Sequence, residues 1–153
     1  MIFRRFKNFM YVAAIGVFLI VSAGIALSCL RYIPPEPMDI SRRFIDLVQA
    51  GDLPAAYLLT EQKGAVGATL KDFEANIRRQ LGVTTFPMHR PIEMLGIRSG
   101  PQTYSNRLRR WLMGRRLDSD LISIDYYVSL PFEVRVAFHD DKWRIVYFQS
   151  HAI

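Results

Sequence analysis

Residues 8–30 contain no Asp, Glu, Lys, Arg or His. Twenty-three residues without charge exclude a solvated surface segment. At ~1.5 Å rise per residue they make a helix long enough to cross a ~30 Å hydrocarbon layer. Cysteine is almost as scarce: Cys29, inside the apolar run, stands alone. That excludes a disulfide framework, a thiol pair and a cysteine zinc site. His89, His139 and His151 are scattered without metal-ligand spacing, so no metal and no cofactor is expected. No phosphate-binding loop, nucleophile elbow or carboxylate dyad occurs. Lysine is also rare, with 4 residues against 16 arginines. The arginine excess reads as compositional bias, since a functional cause would cluster it more tightly.

What remains has globular composition. Of 153 residues, the 120 beyond the first 33 make one small domain with one core. The net charge is +6, but Arg4, Arg5, Lys7 and Arg31 flank the apolar run and leave 16 basic against 14 acidic residues beyond it. A near-neutral domain lacks the concentrated basic face that phosphate neutralisation demands, so nucleic acid is not an expected partner.

Three basic residues precede the apolar run and Arg31 alone lies close behind it. The positive-inside rule then predicts a cytoplasmic basic tail (residues 1–8), a transmembrane helix (9–30), a Pro-rich linker (31–37) and an extracytoplasmic, periplasmic domain (38–153) on the inner (plasma) membrane. Phe9, Tyr11 and Tyr32 suit interfacial positions. A cleaved signal peptide is the alternative, with Ala26-Leu27-Ser28 before Cys29 as the processing site, but the apolar stretch exceeds the ~7–15 residues of a signal core. A lipoprotein site at Cys29 matches poorly because Ala26 stands where a larger aliphatic residue is usual. In a eukaryote, the same N-terminus would suit a mitochondrial inner membrane. Gly16, Gly24, Ser22 and Ala26 are small enough for helix pairing, although small residues are common in membrane helices generally. Pro34, Pro35 and Pro37 predict an extended, stiff spacer.

Helices come first in the domain. Asp39 or Ser41 can cap a helix ending at Ala50, with Ile40, Phe44, Leu47 and Val48 as its apolar face and Gly51 as its stop. Asp52 caps a second short helix with Pro54 in its first turn. Thr69 and Asp72 open a third, whose stripe is Leu70, Phe73, Ile77 and Leu81 and whose stop is Gly82. Strands follow. Residues 92–98 read as one. Ile122, Ile124, Tyr126 and Val128 alternate with polar neighbours, as do Val134, Val136 and Phe138. Asp140-Asp141 fits a two-residue hairpin turn, which pairs Phe138 with Trp143, Val136 with Ile145 and Val134 with Tyr147 on one face. Leu130-Pro131 is either a turn between two strands or a bulge in one bent strand. An apolar sheet face of this breadth needs helices packed on it, which predicts an α+β domain: three helices on a curved antiparallel sheet.

Residues 104–116 stand apart. Tyr104, Leu108, Trp111 and Leu112 share one helical face, and Arg107, Arg109, Arg110, Arg115 and Arg116 surround it. Such a basic amphipathic helix suits anionic lipid or an acidic protein surface. The plainer reading is a connector whose arginines are solvated or paired with Asp118 and Asp120.

The stretch Phe44-Ile45-Asp46-Leu47-Val48-Gln49-Ala50-Gly51-Asp52-Leu53-Pro54-Ala55-Ala56-Tyr57 resembles the opening of nuclear transport factor 2-like (SnoaL-like, cystatin-like cone) domains. The ending Asp141-Lys142-Trp143-Arg144-Ile145-Val146 is similar to their last hairpin. The resemblance spans roughly residues 38–149. It implies a cone in which helices and a concave sheet enclose a pocket. That fold serves isomerases, cyclases, ligand carriers, dimeric scaffolds and membrane-anchored parts of secretion machines, so function must come from the site.

An enzyme of this kind usually carries an Asp or His deep in the cone as general base. The predicted inner face offers none. Asp125 and Arg135 fall on the opposite face, where a cross-strand ion pair is worth only ~0.2–1 kcal/mol. His89 lies in a two-proline loop, as a base, a ligand or simply an exposed histidine. Tyr57, Tyr126, Phe138 and Trp143 are the candidate pocket residues, or alternatively plain core. Arg109, Arg110, Arg115, Arg116, Arg144 and Phe148 are the candidate partner- or membrane-surface residues, with Tyr127 and Val146 beside the last two on an exposed sheet face. The expectation is a non-enzymatic, single-pass anchored domain that binds a protein partner or forms a homodimer as an assembly or accessory factor. The alternative is a pocket that binds, or weakly transforms, a small apolar molecule or lipid.

Overall fold

The computed structural model describes residues 2–128 and 131–150, with side chains from residue 10 onward. The chain runs α1 (Ile2–Cys29), β1 (Arg31–Tyr32), α2 (Pro35–Ala50), α3 (Leu53–Leu58), a 3-10 turn (Gly64–Val66), α4 (Leu70–Leu81), β2 (Glu93–Ser99), β3 (Gln102–Thr103), α5 (Tyr104–Leu112), β4 (Leu121–Tyr127), β5 (Pro131–His139) and β6 (Lys142–Ser150). The protein is α+β, with an N-terminal apolar helix and antiparallel sheets. Two compact units result. One is the chain up to Ile33 with Gln102–Leu117; the other is Pro34–Pro101 with the chain from Asp118 onward.

In the first unit, Met10–Cys29 has a mean hydropathy of 2.4 and none of it is buried. Among the described residues it is the helix long and apolar enough to cross a membrane. Beyond it, β1 pairs antiparallel with β3, Arg31 opposite Thr103 and Tyr32 opposite Gln102. The Tyr104 amide donates to the Leu30 carbonyl at 3.1 Å, so α5 begins where α1 ends. The Thr103 hydroxyl caps α5 by accepting from the Asn106 amide at 3.3 Å.

The predicted linker is mostly structured. Arg31 and Tyr32 are a strand, and Pro35, Glu36 and Pro37 form the first turn of α2 after Pro34. First-turn N–H groups have no partner within a helix, so prolines there forfeit nothing, and their fixed φ is already helical. α2 therefore starts before both Asp39 and Ser41, the predicted caps.

The second unit follows the predicted capping closely. The Asp52 carboxylate accepts from the Ala55 amide at 3.1 Å. The Thr69 hydroxyl accepts from the Asp72 amide at 3.2 Å and donates to its carboxylate at 2.7 Å. Gly51 and Gly82 end their helices in the left-handed conformation. The sheet order is β2-β4-β5-β6. β4 ends at Tyr127 and Pro131 opens β5, so the two are separate strands; Ser129 and Leu130 lie outside the described residues, as does His151. Asp140 and Asp141 both take positive φ, 49° and 58°, as a tight hairpin needs.

The core lies between one sheet face and the helices. Ile122, Ile124, Tyr126, Phe132, Val134, Val136 and Ile145 meet Phe44, Val48, Phe73 and Ile77. Each buried aromatic or aliphatic side chain contributes about 1.5–3 kcal/mol. One predicted pair is corrected. Val136 faces Ile145 and Phe138 faces Trp143, but Arg135 then faces Tyr147 and Val134 faces Phe148. Val146 is the extra residue of a bulge, which flips the strand beyond it. Tyr147 moves to the outer face and Phe148 enters the core. Residues 59–61 run beside part of the β6 edge: the Ile145 amide donates to Leu59 at 3.0 Å, and the Glu61 amide to Ile145 at 2.9 Å. That pairing leaves less of the edge open to another chain.

Candidate functional site

The four candidate pocket residues are not gathered around one space. Tyr126 is buried, stacks on Phe132 with ring centroids 5.6 Å apart, and bonds the buried Ser41 hydroxyl at 2.8 Å. Burial raises its hydroxyl above the ordinary tyrosine value, more than Ser41 and Arg42 lower it, so it stays neutral. Tyr57 packs on Phe73 at 5.3 Å and donates to the Ala68 carbonyl at 2.8 Å, which ties α3 to the start of α4. Phe138 and Trp143 meet edge to face at 5.4 Å, and the Trp143 indole donates to Glu36 at 3.2 Å. Those two do line a cavity, an open cleft of about 460 Å³ shared with Glu36, Ile40 and Lys142.

A second cavity of about 350 Å³ lies where α4 ends. Leu81, the loop through Met88, His89 and Arg90, and Val128 line it. Its size falls in the ligand-pocket range, and its polar groups come from a loop. Among the described residues no group of three or more His, Cys, Asp or Glu side chains gathers to hold a metal ion.

The outer sheet face carries the electrostatics. Asp125 and Glu133 lie directly opposite each other in the β4–β5 register, and Ser123 opposes Arg135. Two carboxylates so placed repel unless cations intervene. Arg98 bonds Asp125 at 3.1 Å, and its guanidinium comes within 3.9 Å of Glu133. Arg135 grips Glu133 with two hydrogen bonds, 2.9 and 3.1 Å. The Tyr147 ring lies 4.6 Å from the Arg135 guanidinium. The predicted Asp125–Arg135 pair is thus replaced by Arg98–Asp125 and Arg135–Glu133. Glu133 is buried at 1% exposure. The Arg135 hydrogen bonds hold its carboxyl below the ordinary glutamate value; burial opposes this, and Ser123 and the charges of Arg135 and Arg98 assist. Sequence reading missed Glu133. The available signal was its register opposite Asp125, with an arginine two residues on.

The surface candidates separate. Phe148 is no surface residue: it is 4% exposed and packs on Phe44 and Phe73 at ring distances of 6.0 and 5.8 Å. Arg144 is half-buried and donates to the Thr60 carbonyl at 3.3 Å. Arg109 and Arg115 are exposed, whereas Arg110 and Arg116 are half-buried and joined, Arg110 Nε donating to the Arg116 carbonyl. Tyr127 remains exposed at the end of β4.

Compared with known protein families, with curated proteins and with solved structures, the chain matches none.

Proposed function

We propose that this chain is a single-pass membrane protein whose extracytoplasmic domain binds a protein partner or a second copy, as a non-enzymatic assembly or accessory factor. The observation that carries the reading is α1. Its apolar side chains from Met10 to Cys29 are unburied, which water would penalise and a bilayer would not. The interior of the second unit supports a binding rather than a chemical role. Tyr126, Phe132 and Phe148 are packed into its core, and the described carboxylate buried under arginines lies on the opposite sheet face. Helices on one side of an antiparallel sheet agree with the nuclear transport factor 2-like reading. In that reading the other side, with Tyr127 exposed at the end of β4, is the contact surface.

A photo-crosslinking residue at Tyr127 tests this. In membranes it should capture a second copy or one defined extracytoplasmic protein, while the same residue at Leu58, exposed on α3, should not. Equal, weak labelling at both positions would overturn the sheet-face contact. The pocket reading draws support from the cleft at Phe138 and Trp143 and from the cavity beside His89. Saturable binding of an apolar probe, abolished by Val128→Trp, would favour it.

A further inference from the structure

α5 is turned the wrong way for water. Its apolar stripe points out: Leu108, Trp111 and Leu112 are 52, 64 and 71% exposed, and no residue of the helix is buried. Two of its cations, Arg107 and Arg110, are better covered. The Arg107 guanidinium lies 3.7 Å from the centre of the Tyr32 ring, and Arg110 reaches back to the Arg116 carbonyl. Hydrophobic burial in an aqueous fold gives the reverse arrangement.

The position of α5 identifies the medium that this face meets. It shares a compact unit with α1, touches it, and starts at the hydrogen bond to the carbonyl of Leu30, the last residue of the uncharged run. Tyr32 and Tyr104 meet edge to face at 6.1 Å at this junction. A helix of nine residues is only about 13 Å long, so it cannot leave the neighbourhood of the point where α1 ends. We propose that α5 is an interfacial helix. Leu108, Trp111, Leu112 and Met113 enter the acyl–headgroup boundary of the leaflet from which α1 emerges, and Arg109 and Arg115 sit at the lipid phosphates. Tryptophan and tyrosine favour that depth, and arginine beside an apolar stripe is the usual composition of such helices. The exposed apolar surface of α5 then continues that of α1. This proposal rests on the reading of α1 as a membrane anchor.

The full chain reconstituted in nanodiscs of phosphatidylcholine and phosphatidylglycerol tests it by tryptophan emission. Trp111→Phe isolates the Trp111 signal by difference, because Trp143 is present in both proteins. Lipids brominated near the headgroup should quench most of that difference signal, and aqueous acrylamide should barely touch it. Leu112→Glu should reverse both results without loss of the chain from the discs. Trp111 open to acrylamide in an incorporated chain would overturn the proposal and leave the anchor standing. Trp111 shielded from both quenchers would also overturn it, in favour of a protein contact. A chain that fails to enter the discs removes the anchor reading, and this inference with it.

Discussion

Glu133 shows what a single carboxylate must satisfy to be buried on the outer sheet face. Its two oxygens are held by Arg135, and Arg98 stands close to one of them. Because its native carboxyl titrates below its unfolded value, the unfolded chain binds more protons through that interval. The contribution of Glu133 to stability is therefore complete above the unfolded glutamate value and is lost as pH falls through the native one. Glu133→Gln should destabilise the detergent-solubilised chain by about 1–3 kcal/mol near neutral pH, since a charge-assisted pair is lost beside a half-open arginine. The same variant should flatten the acid limb of stability against pH. Urea unfolding between pH 3 and 7, roughly the carboxylate range, measures both effects. An unchanged acid limb would mean that other carboxylates dominate it. None of this was legible from alternation, which marks Glu133 only as outward-facing. The carboxylate is held there by Arg135, two residues along the same strand, with Arg98 coming within 3.9 Å from a different strand.

At the scale of elements, caps and stops were legible because their causes are local. Asp52, Thr69, Gly51 and Gly82 each act on a backbone group within a few residues. The Asp140-Asp141 turn was legible for the same reason, and it fixed the first two inward pairs. The bulge at Val146 was not. Nothing in the order Ile145-Val146-Tyr147-Phe148 says which residue drops out of the ladder; that is decided by Phe148 finding Phe44 and Phe73 on the helices. Two truncations separate the bulged register from the straight one. Phe148→Ala should cost about 3–5 kcal/mol, as other buried aromatics do. Tyr147→Ala should cost clearly less, because that ring lies on the outer face against Arg135. A straight register would invert the order in the same unfolding measurement. The start of α2 was misread for a related reason: prolines that forbid a helix interior are welcome in its first turn.

For the whole molecule, the arrangement of basic residues raises a question about topology that sequence order alone conceals. Arg31 is the only cation near the end of α1 in sequence, but the fold places α5, with Arg107, Arg109 and Arg110, in the same unit. Counted in space, the domain end of α1 is then rich in positive charge. Orientation, however, is set while the chain inserts, by charges within about 15–20 residues of the span, and domains farther along translocate largely regardless of charge. Arg4, Arg5 and Lys7 should therefore still hold the N-terminus in the cytoplasm. A periplasm-active reporter fused after the last residue should be active, and a cytoplasm-active one silent. Replacing Arg4, Arg5 and Lys7 by Gln should lower that bias, whereas neutralising Arg109 and Arg115 should leave it intact. The chain should also stay with membranes through carbonate extraction. A soluble product beginning at Cys29 would instead identify residues up to Ser28 as a cleaved leader. Loss of orientation on changing the α5 arginines would mean that the folded unit, and not the nascent sequence, sets the topology.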